Sequence, residues 1–244
     1  KTVNLTSTGS STMYMRPHAT GSKVYVSNYR FFESGAVLND ISGKGNNGAV
    51  NGAILTVDST AGPCINFDGT NDYITFSNDS DFDIYGSAGY AIEAWVYPTS
   101  DSESYGGIIG CTQHTSGGAG SSTINWQLYR SGGVFRIYSS TLDISTSLGA
   151  NNNWWHLAIV FNQDFSLCTF YVNGAADGTD GSFTQGTIGS ISPRIGRADF
   201  NYYAHVGESE FTGRMGPIRL YKNKALTAAE VKQNFNAERN RFGV

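Results

Sequence analysis

Short runs that alternate between apolar and polar residues dominate the sequence, and turn-forming residues separate them. Dipeptides such as Asp68-Gly69 and Asn173-Gly174 tolerate the positive φ of tight turns. Many short strands at this spacing indicate an antiparallel sandwich or barrel. A chain of 244 residues suits one such all-β domain. The predicted strands are Lys23–Ser27, Cys64–Phe67, Tyr73–Phe76, Tyr90–Tyr97, Gly107–Cys111, Thr123–Tyr129, Val134–Tyr138, Trp155–Phe161, Cys168–Val172, Arg194–Gly196 and Gly216–Tyr221.

The composition gives no reason to expect nucleic acid or a membrane as a partner. Charged residues make up 15% of the chain and the net charge is −4, too small to attract a polyanion. No run of 18 apolar residues occurs, so we expect no membrane insertion. The cysteines, Cys64, Cys111 and Cys168, show neither zinc nor disulfide spacing. Cys168 alternates with Phe170, which predicts a buried thiol.

A single helix is predicted near the C-terminus, over about residues 228–237. Thr227 and Glu230 have the spacing of a capping box, in which each side chain accepts a hydrogen bond from an otherwise unpaired main-chain N–H. Leu226 and Val231 stand at the positions of a hydrophobic staple. We therefore expect a short structural helix that packs on the sandwich.

Charge is distributed unevenly along the chain. Residues 214–244 contain seven basic and two acidic residues, a balance of +5, whereas the other residues contain nine basic and eighteen acidic residues, a balance of −9. Two interpretations remain open. The tail with Arg239 and Arg241 attaches the chain to an acidic partner, or the basic residues fold back and neutralise acidic loops of their own domain.

Six segments in a fixed order resemble laminin-G-like, or pentraxin-like, jelly-roll domains of the concanavalin A-like lectin/glucanase superfamily. They are Asp40–Gly48, Ile65–Ile74, Ala91–Pro98, Asn153–Val160, Phe170–Gly174, and Phe211–Tyr221 followed by Ala225–Glu230. The resemblance implies a two-sheet antiparallel jelly-roll sandwich over residues 30–244, with a short C-terminal helix and a basic tail. Residues 1–29 lie outside it and are expected to form an N-terminal extension or an added hairpin.

The superfamily resemblance implies several functions, because this fold hosts lectins, glucanases and structural proteins. Residues 231–244 are most similar to the ends of laminin-G-like domains in tailed-phage structural proteins. They imply a decoration or fibre protein on the virion surface, with a capsid or other virion protein as partner and a cell-surface glycan as ligand. A homo-oligomer is compatible with this role. The alternatives are a secreted extracellular lectin or carbohydrate-binding module and, third, a polysaccharide-active enzyme.

No catalytic residue is predicted. The glucanases of this class carry Glu-x-Asp-x-x-Glu along one strand, and this pattern is absent. The nearest acidic pairs are Asp81 with Asp83 and Glu208 with Glu210, both in turn-like sequence. The histidines lack the spacing of a Ser–His–Asp triad, and His156 is expected to be a hydrogen-bonded structural residue.

Acidic and amide residues near the turns are open to two interpretations. Asp40, Asn46, Asp68, Asn71 and Asp72 are hard oxygen donors of the kind that binds calcium. The same residue types form local main-chain hydrogen bonds in turns, and we favour this second interpretation. No cofactor is therefore predicted, with calcium kept as the alternative.

Alternation in two neighbouring strands predicts a ligand-binding face. Ile124, Trp126, Leu128, Phe135 and Ile137 would face the core, so that the residues between them would lie exposed on the other face of the sheet. Aromatic rings with amide and guanidinium donors suit sugar rings. A second, loop-like aromatic segment is a further candidate contact surface. The predicted ligand-binding residues are Gln127, Tyr129, Arg136 and Tyr138 on the sheet, and Tyr202, Tyr203 and His205 in the loop.

Overall fold

The computed structural model separates the chain into two compact units, Lys1–Phe31 and Phe32–Val244. It describes residues 4–6, 12–14, 37–77, 80–84, 88–100, 105–114, 122–139, 141–147, 149–181, 183, 191–202 and 205–244. In the first unit, β1 (Asn4–Thr6) pairs antiparallel with β2 (Thr12–Tyr14). The predicted strand Lys23–Ser27 lies outside the described residues, and the domain boundary near residue 30 stays a prediction.

The described residues of the second unit form seventeen strands, and the strands predicted within these residues are among them. Four of these predictions, Tyr73–Phe76, Val134–Tyr138, Trp155–Phe161 and Cys168–Val172, have the observed bounds. The strands are β3 (Val37–Leu38), β4 (Gly48–Asn51), β5 (Ile54–Asp58), β6 (Gly62–Asp68), β7 (Tyr73–Phe76), β8 (Tyr90–Pro98), β9 (Gly106–His114), β10 (Ser122–Ser131), β11 (Val134–Tyr138), β12 (Asp143–Ser145), β13 (Trp155–Phe161), β14 (Cys168–Val172), β15 (Ala175–Asp180), β16 (Arg194–Ile195), β17 (Arg197–Tyr202), β18 (His205–Glu210) and β19 (Thr212–Lys222).

These strands build two large antiparallel sheets, which confirms the predicted jelly-roll sandwich. The eight-stranded sheet has the order β12-β11-β10-β9-β16-β7-β4-β3, and the seven-stranded sheet has the order β15-β14-β13-β8-β19-β6-β5. Strands that are distant in sequence become neighbours, as β8 does with β13 and β19. A separate hairpin is formed by β17 and β18. A short 3₁₀ helix spans Ser80–Phe82.

The hydrophobic core lies between the two sheets. Trp126, Leu128, Phe135 and Ile137 are buried in it, which confirms the predicted inward face of β10 and β11. The indole N–H of Trp126 donates to the main-chain oxygen of Phe82 at 3.0 Å, so the ring is buried without an unpaired donor. The cysteines are free and buried, as predicted for Cys168.

The C-terminal helix α1 (Ala228–Phe242) packs on the outer face of the seven-stranded sheet. Its start matches the prediction, and both hydrogen bonds of the capping box between Thr227 and Glu230 are present. Its end does not, because the helix continues five residues beyond 237. The buried ring of Phe242 stacks on Trp95 with ring centroids 4.0 Å apart and contacts Trp154 at 4.9 Å. This packing holds the last turn in helical form.

Basic residues near the C-terminus contact their own domain, as the second of the two interpretations predicts, and attachment to an acidic partner stays a prediction. Arg241 donates to the main-chain oxygens of Ala61 and Pro63. Other basic residues of segment 214–244 have acidic partners. These partners are Asp58 for Arg214 and Asp81 for Lys222 and, within the segment itself, Glu238 for Arg219 and Glu230 for Lys224.

The β17–β18 hairpin covers part of the opposite surface, the outer face of the eight-stranded sheet. β17 contacts β9 and β10, and Ala198 packs against Tyr129. Gly107 permits this approach, because a Cβ atom at this position would lie 2.3 Å from the Ala198 nitrogen. Glycine at position 107 is thus a steric requirement of the hairpin's position.

Candidate functional site

The four sheet residues predicted to bind a ligand share the outer face of the eight-stranded sheet. Gln127 lies opposite Tyr138, and Tyr129 lies opposite Arg136, in the register of β10 and β11. Their neighbours along each strand point into the core. Alternation therefore placed the four side chains on the correct face.

Two of the four are not exposed, which corrects the sequence-based expectation. Gln127 is fully buried, and its amide donates to the main-chain oxygens of Leu128 at 2.8 Å and Ile109 at 3.2 Å. It lies flat against Gly110, where a Cβ atom would come within 2.2 Å of the Gln127 Oε1. Tyr129 is only 3% exposed, because it lies in the cluster formed with Ala198 of the hairpin.

The accessible part of this face is built around Arg136 and Tyr138, which are both half-buried. Asp143 of the neighbouring edge strand β12 lies directly opposite Tyr138. Its Oδ1 is 3.6 Å from Arg136 Nε, and the side chains of Arg136 and Asp143 are 34% and 49% exposed. The two residues form an ion pair with partly exposed side chains, in which the contacting Arg136 Nε is itself buried.

Tyr105 completes the group. Its ring centroid lies 5.5 Å from that of Tyr129, and both Tyr105 and Tyr138 pack against the Tyr129–Ala198 cluster. Tyr105 has a φ of 72°, a left-handed conformation that is unusual for an aromatic residue and is often found at functional sites. We call Tyr105, Tyr129, Arg136, Tyr138 and Asp143 the tyrosine patch.

Sequence reasoning missed two members of the tyrosine patch. Asp143 carried a usable signal, because Leu142 and Ile144 alternate with it and are both buried. For Tyr105 the sequence contains only an indirect signal, namely the two glycines that follow it. Its contact with Tyr129 depends on the path of the chain between strands and is not encoded in local alternation.

The Tyr129 hydroxyl remains protonated at neutral pH. Burial raises the pKa of Tyr129 to about 12, and the nearby charge of Arg136 only partly offsets that increase. Because Tyr129 is buried, the charged groups that the patch offers to a ligand are one guanidinium and one carboxylate.

The second predicted cluster lies on the β17–β18 hairpin. Tyr202 and His205 are cross-strand partners at its end. Tyr203 lies outside the described residues, as do the side chains of Tyr202 and His205. Their part in binding stays a prediction.

Acidic residues near the turns serve the protein's own main chain. The Asp40 carboxylate accepts hydrogen bonds from the nitrogens of Ser42 and Asn46, at 2.8 and 3.0 Å. Asp72 accepts from the nitrogen of Asp68 at 2.7 Å. These contacts are those of the turn interpretation. Within the described part of the chain, no cluster of three or more His, Cys, Asp or Glu residues is arranged to hold a metal ion.

A buried polar network lies beneath helix α1, on the other side of the molecule. The carboxylate of Glu93 accepts hydrogen bonds from Tyr221 at 2.8 Å and from Asn234 at 3.1 Å. His156 is buried, but its Nε2 lies 3.6 Å from Glu93, and neither ring nitrogen has a hydrogen-bond partner among the described residues. The expected hydrogen bond of His156 is therefore not made by its ring. Because Glu93 and His156 are 0% exposed, this network is inaccessible to a ligand.

Two packed antiparallel sheets with this strand order define a jelly-roll sandwich. A family model (Laminin_G_3), described as the concanavalin A-like lectin/glucanases superfamily, matches residues 68–232. The chain belongs to this superfamily. No curated protein sequence matches the chain. Among the helices of the described residues, none has the length and apolar character needed to cross a membrane.

Solved structures share the fold at low sequence identity. The binding domain of Paraclostridial Mosquitocidal Protein 1 matches at TM-score 0.62 and 18% identity, covering 85% of this chain and 51% of that one. The botulinum neurotoxin serotype D ligand binding domain, solved with N-acetylneuraminic acid, matches at TM-score 0.60 and 13% identity. The match covers 82% of this chain and 48% of that one. A third match is domain 4 of AbnA, a GH43 extracellular arabinanase from Geobacillus stearothermophilus, solved with arabinotriose. Its TM-score is 0.56 at 18% identity, and the match covers 80% of this chain and 91% of that one. The chain thus spans about half the length of the two toxin domains.

Proposed function

We propose that this protein is a non-enzymatic carbohydrate-binding module and that the tyrosine patch is its binding surface. The observation that carries the proposal is the placement of the half-buried Tyr105 and Tyr138, packed on the buried Tyr129, beside the Arg136–Asp143 pair. A sugar ring has an apolar face, which packs on aromatic rings, and hydroxyl edges, which need donors and acceptors. The patch supplies both on one sheet face.

The fold comparisons support this proposal. One similar domain was solved with N-acetylneuraminic acid and another with arabinotriose, so two domains of this fold have been solved with a sugar. The second is a single domain of a larger arabinanase, and this chain covers 91% of it. A module of this size therefore has a precedent as one domain of an extracellular carbohydrate-active protein.

A titration with variants tests the proposal. The ligands are oligosaccharides selected on a glycan array. We expect Tyr138→Ala to weaken their binding by at least about 1 kcal/mol, which is roughly a fivefold increase in Kd. Tyr138→Phe should keep most of the affinity, because the ring is retained. The matched control is Tyr171→Ala, a half-buried tyrosine on the seven-stranded sheet. If Tyr138→Ala binds as the unchanged protein does, the site has been placed wrongly.

The absence of catalysis is part of the proposal. Asp81 accepts a hydrogen bond from Asn46 at 3.1 Å and lies 3.8 Å from Lys222, so its carboxylate has structural partners. Glu93 is buried beneath the helix. We expect no hydrolysis of a polysaccharide panel. Hydrolysis that is lost on replacing Asp81, Asp83, Glu208 or Glu210 by Ala would overturn this part of the proposal.

We further propose that the module is displayed on a virion surface, as a decoration or fibre protein that contacts a capsid or other virion protein. The similarity of residues 231–244 to the ends of phage laminin-G-like domains supports this placement, and residues 1–29 are the proposed attachment element. The alternative, a secreted lectin or carbohydrate-binding module, is favoured by the likeness to the arabinanase domain. Electron microscopy of native particles with a labelled antibody separates them: labelled virions support the first, and unlabelled virions with secreted antigen support the second.

A further inference from the structure

We propose that the tyrosine patch selects neutral sugars over acidic ones and that the Arg136–Asp143 pair binds two neighbouring hydroxyl groups of the sugar. This inference rests on the proposed function and specifies its ligand class. It follows from the charge of the patch and from the hydrogen-bonding capacity of the pair.

The positive charge of the patch is already compensated. Arg136 supplies the only guanidinium of the five patch residues, and the Asp143 carboxylate lies 3.6 Å from it. A sugar carboxylate that approached Arg136 would also approach Asp143, so attraction by the first would be largely cancelled by repulsion from the second. A neutral sugar does not meet this repulsion.

The same pair is well matched to a diol. A carboxylate accepts hydrogen bonds from hydroxyl groups, whereas a guanidinium only donates. Because Arg136 and Asp143 are adjacent and 34% and 49% exposed, one hydroxyl can donate to Asp143 while its neighbour accepts from Arg136. Charge-assisted hydrogen bonds of this kind are stronger than those between neutral groups. Tyr138, opposite Asp143 in the ladder, then provides a ring for the apolar face of the sugar.

The other arginines of this sheet face do not change the balance of the patch. The guanidinium groups of Arg194 and Arg197 lie 5.8 and 4.8 Å from the ring centroid of Tyr73. Tyr73 belongs to β7, which β9 and β16 separate from β10. The charges of Arg194 and Arg197 therefore lie on a different part of the sheet face.

A paired titration tests the inference. The probes are arabinotriose and lactose as neutral sugars, and N-acetylneuraminic acid and 3′-sialyllactose as acidic ones. We expect at least one neutral sugar to bind, 3′-sialyllactose to bind no tighter than lactose, and the neutral affinity to change less than twofold between 20 and 500 mM salt because no net charge is paired.

Two half-exposed variants complete the test. Asp143→Asn should weaken the neutral sugar about three- to tenfold and reduce the discrimination against the acidic one, and Arg136→Gln should weaken the neutral sugar similarly. Tighter, salt-sensitive binding of the sialylated sugar, or neutral binding that neither variant weakens, would overturn the inference while leaving carbohydrate binding intact. If none of the four sugars and no member of a glycan array binds, the proposed function itself fails.

Discussion

The outer faces of the two sheets are covered in different ways. On the seven-stranded sheet, helix α1 buries Trp95, Trp154 and the Glu93 network. On the eight-stranded sheet, the β17–β18 hairpin packs on Tyr129 but leaves Arg136 and Tyr138 half-buried. Both faces are rich in aromatic and charged residues, so composition alone does not distinguish them.

The difference lies in whether the carboxylates accept several hydrogen bonds from donors inside the protein. Beneath the helix, the carboxylate of Glu238 accepts from the Trp95 indole at 2.8 Å and from Arg219 at 2.6 and 3.0 Å, and no part of Glu93 reaches solvent. On the hairpin side, Arg136 and Asp143 meet at 3.6 Å and have partly exposed side chains. We infer that the helix side stabilises the fold and that the hairpin side binds the ligand.

The largest expected effect is that of Phe242→Ala. The ring is buried against Trp95 and Trp154, so its removal leaves a cavity and should lower the free energy of unfolding by about 3–5 kcal/mol. Urea denaturation measures the loss. Asn240→Ala, an exposed position of the same helix, is the control and should change stability by less than about 0.5 kcal/mol. Equal stability of the two variants would contradict a structural role of the helix end.

Glu93→Gln should lower the free energy of unfolding by about 2 kcal/mol at neutral pH. The substitution replaces a buried carboxylate that has several hydrogen-bond donors with an amide that cannot accept from all of them. Burial alone would raise the pKa of Glu93, but its interactions with His156, Asn234 and Tyr221 outweigh burial and lower the pKa below its ordinary 4.5. The group binds a proton more readily when unfolded, so its stabilising contribution is present above about pH 4.5 and is lost as pH falls through the lower folded pKa.

Thermal denaturation between pH 3 and 7 tests this pH dependence. The difference in stability between the unchanged protein and Glu93→Gln should shrink in acid. Asp143→Asn, which changes a half-exposed carboxylate on the other face, is the control and should have a small effect on stability. A Glu93→Gln difference that stays the same at all pH values would show that Glu93 is not ionised in the fold.

The sequence was sufficient for the features that depend on local pattern. The capping box at Thr227 predicted the start of α1, and alternation predicted the inward face of β10 and β11. The same pattern misjudged the end of the helix, because Phe242 is held by Trp95, which is far away in sequence. The exposure of Gln127 was misjudged for a related reason, since Gly110 of a neighbouring strand makes room for it. Contacts of this kind join residues that are far apart in sequence, so they can be predicted only when the strand order is known.

Gly107→Ala should disturb the hairpin side alone. The added methyl would meet the main chain of Ala198 at 2.3 Å, so the hairpin must shift away from Tyr129 at a cost of about 1–3 kcal/mol. Glycan affinity should fall at the same time, which isothermal titration measures. Gly106→Ala is the matched control, because its nearest contact, the Glu210 oxygen, lies at 3.3 Å and needs only a small adjustment. Unchanged stability and affinity in Gly107→Ala would contradict the packing of β17 described above.

The smallest effect is expected at the start of the helix. Thr227→Ala removes the hydroxyl that accepts a hydrogen bond from the Glu230 nitrogen. The free energy of unfolding should fall by about 1 kcal/mol, which thermal denaturation measures. Thr227→Ser keeps the hydroxyl and should be close to neutral. Glycan affinity should be unchanged in both variants, because this cap lies on the helix side. A loss of affinity in Thr227→Ala would show that the two faces are coupled.

Hydrogen exchange in the presence of a bound oligosaccharide tests the division between the two faces most directly. We expect slower exchange of main-chain amides in β10, β11 and β12, around Tyr129, Arg136 and Asp143, with no change in β8, β13 or helix α1. Slower exchange confined to β8, β13 or α1, with β10 to β12 unaffected, would contradict the assignment of the tyrosine patch as the binding surface.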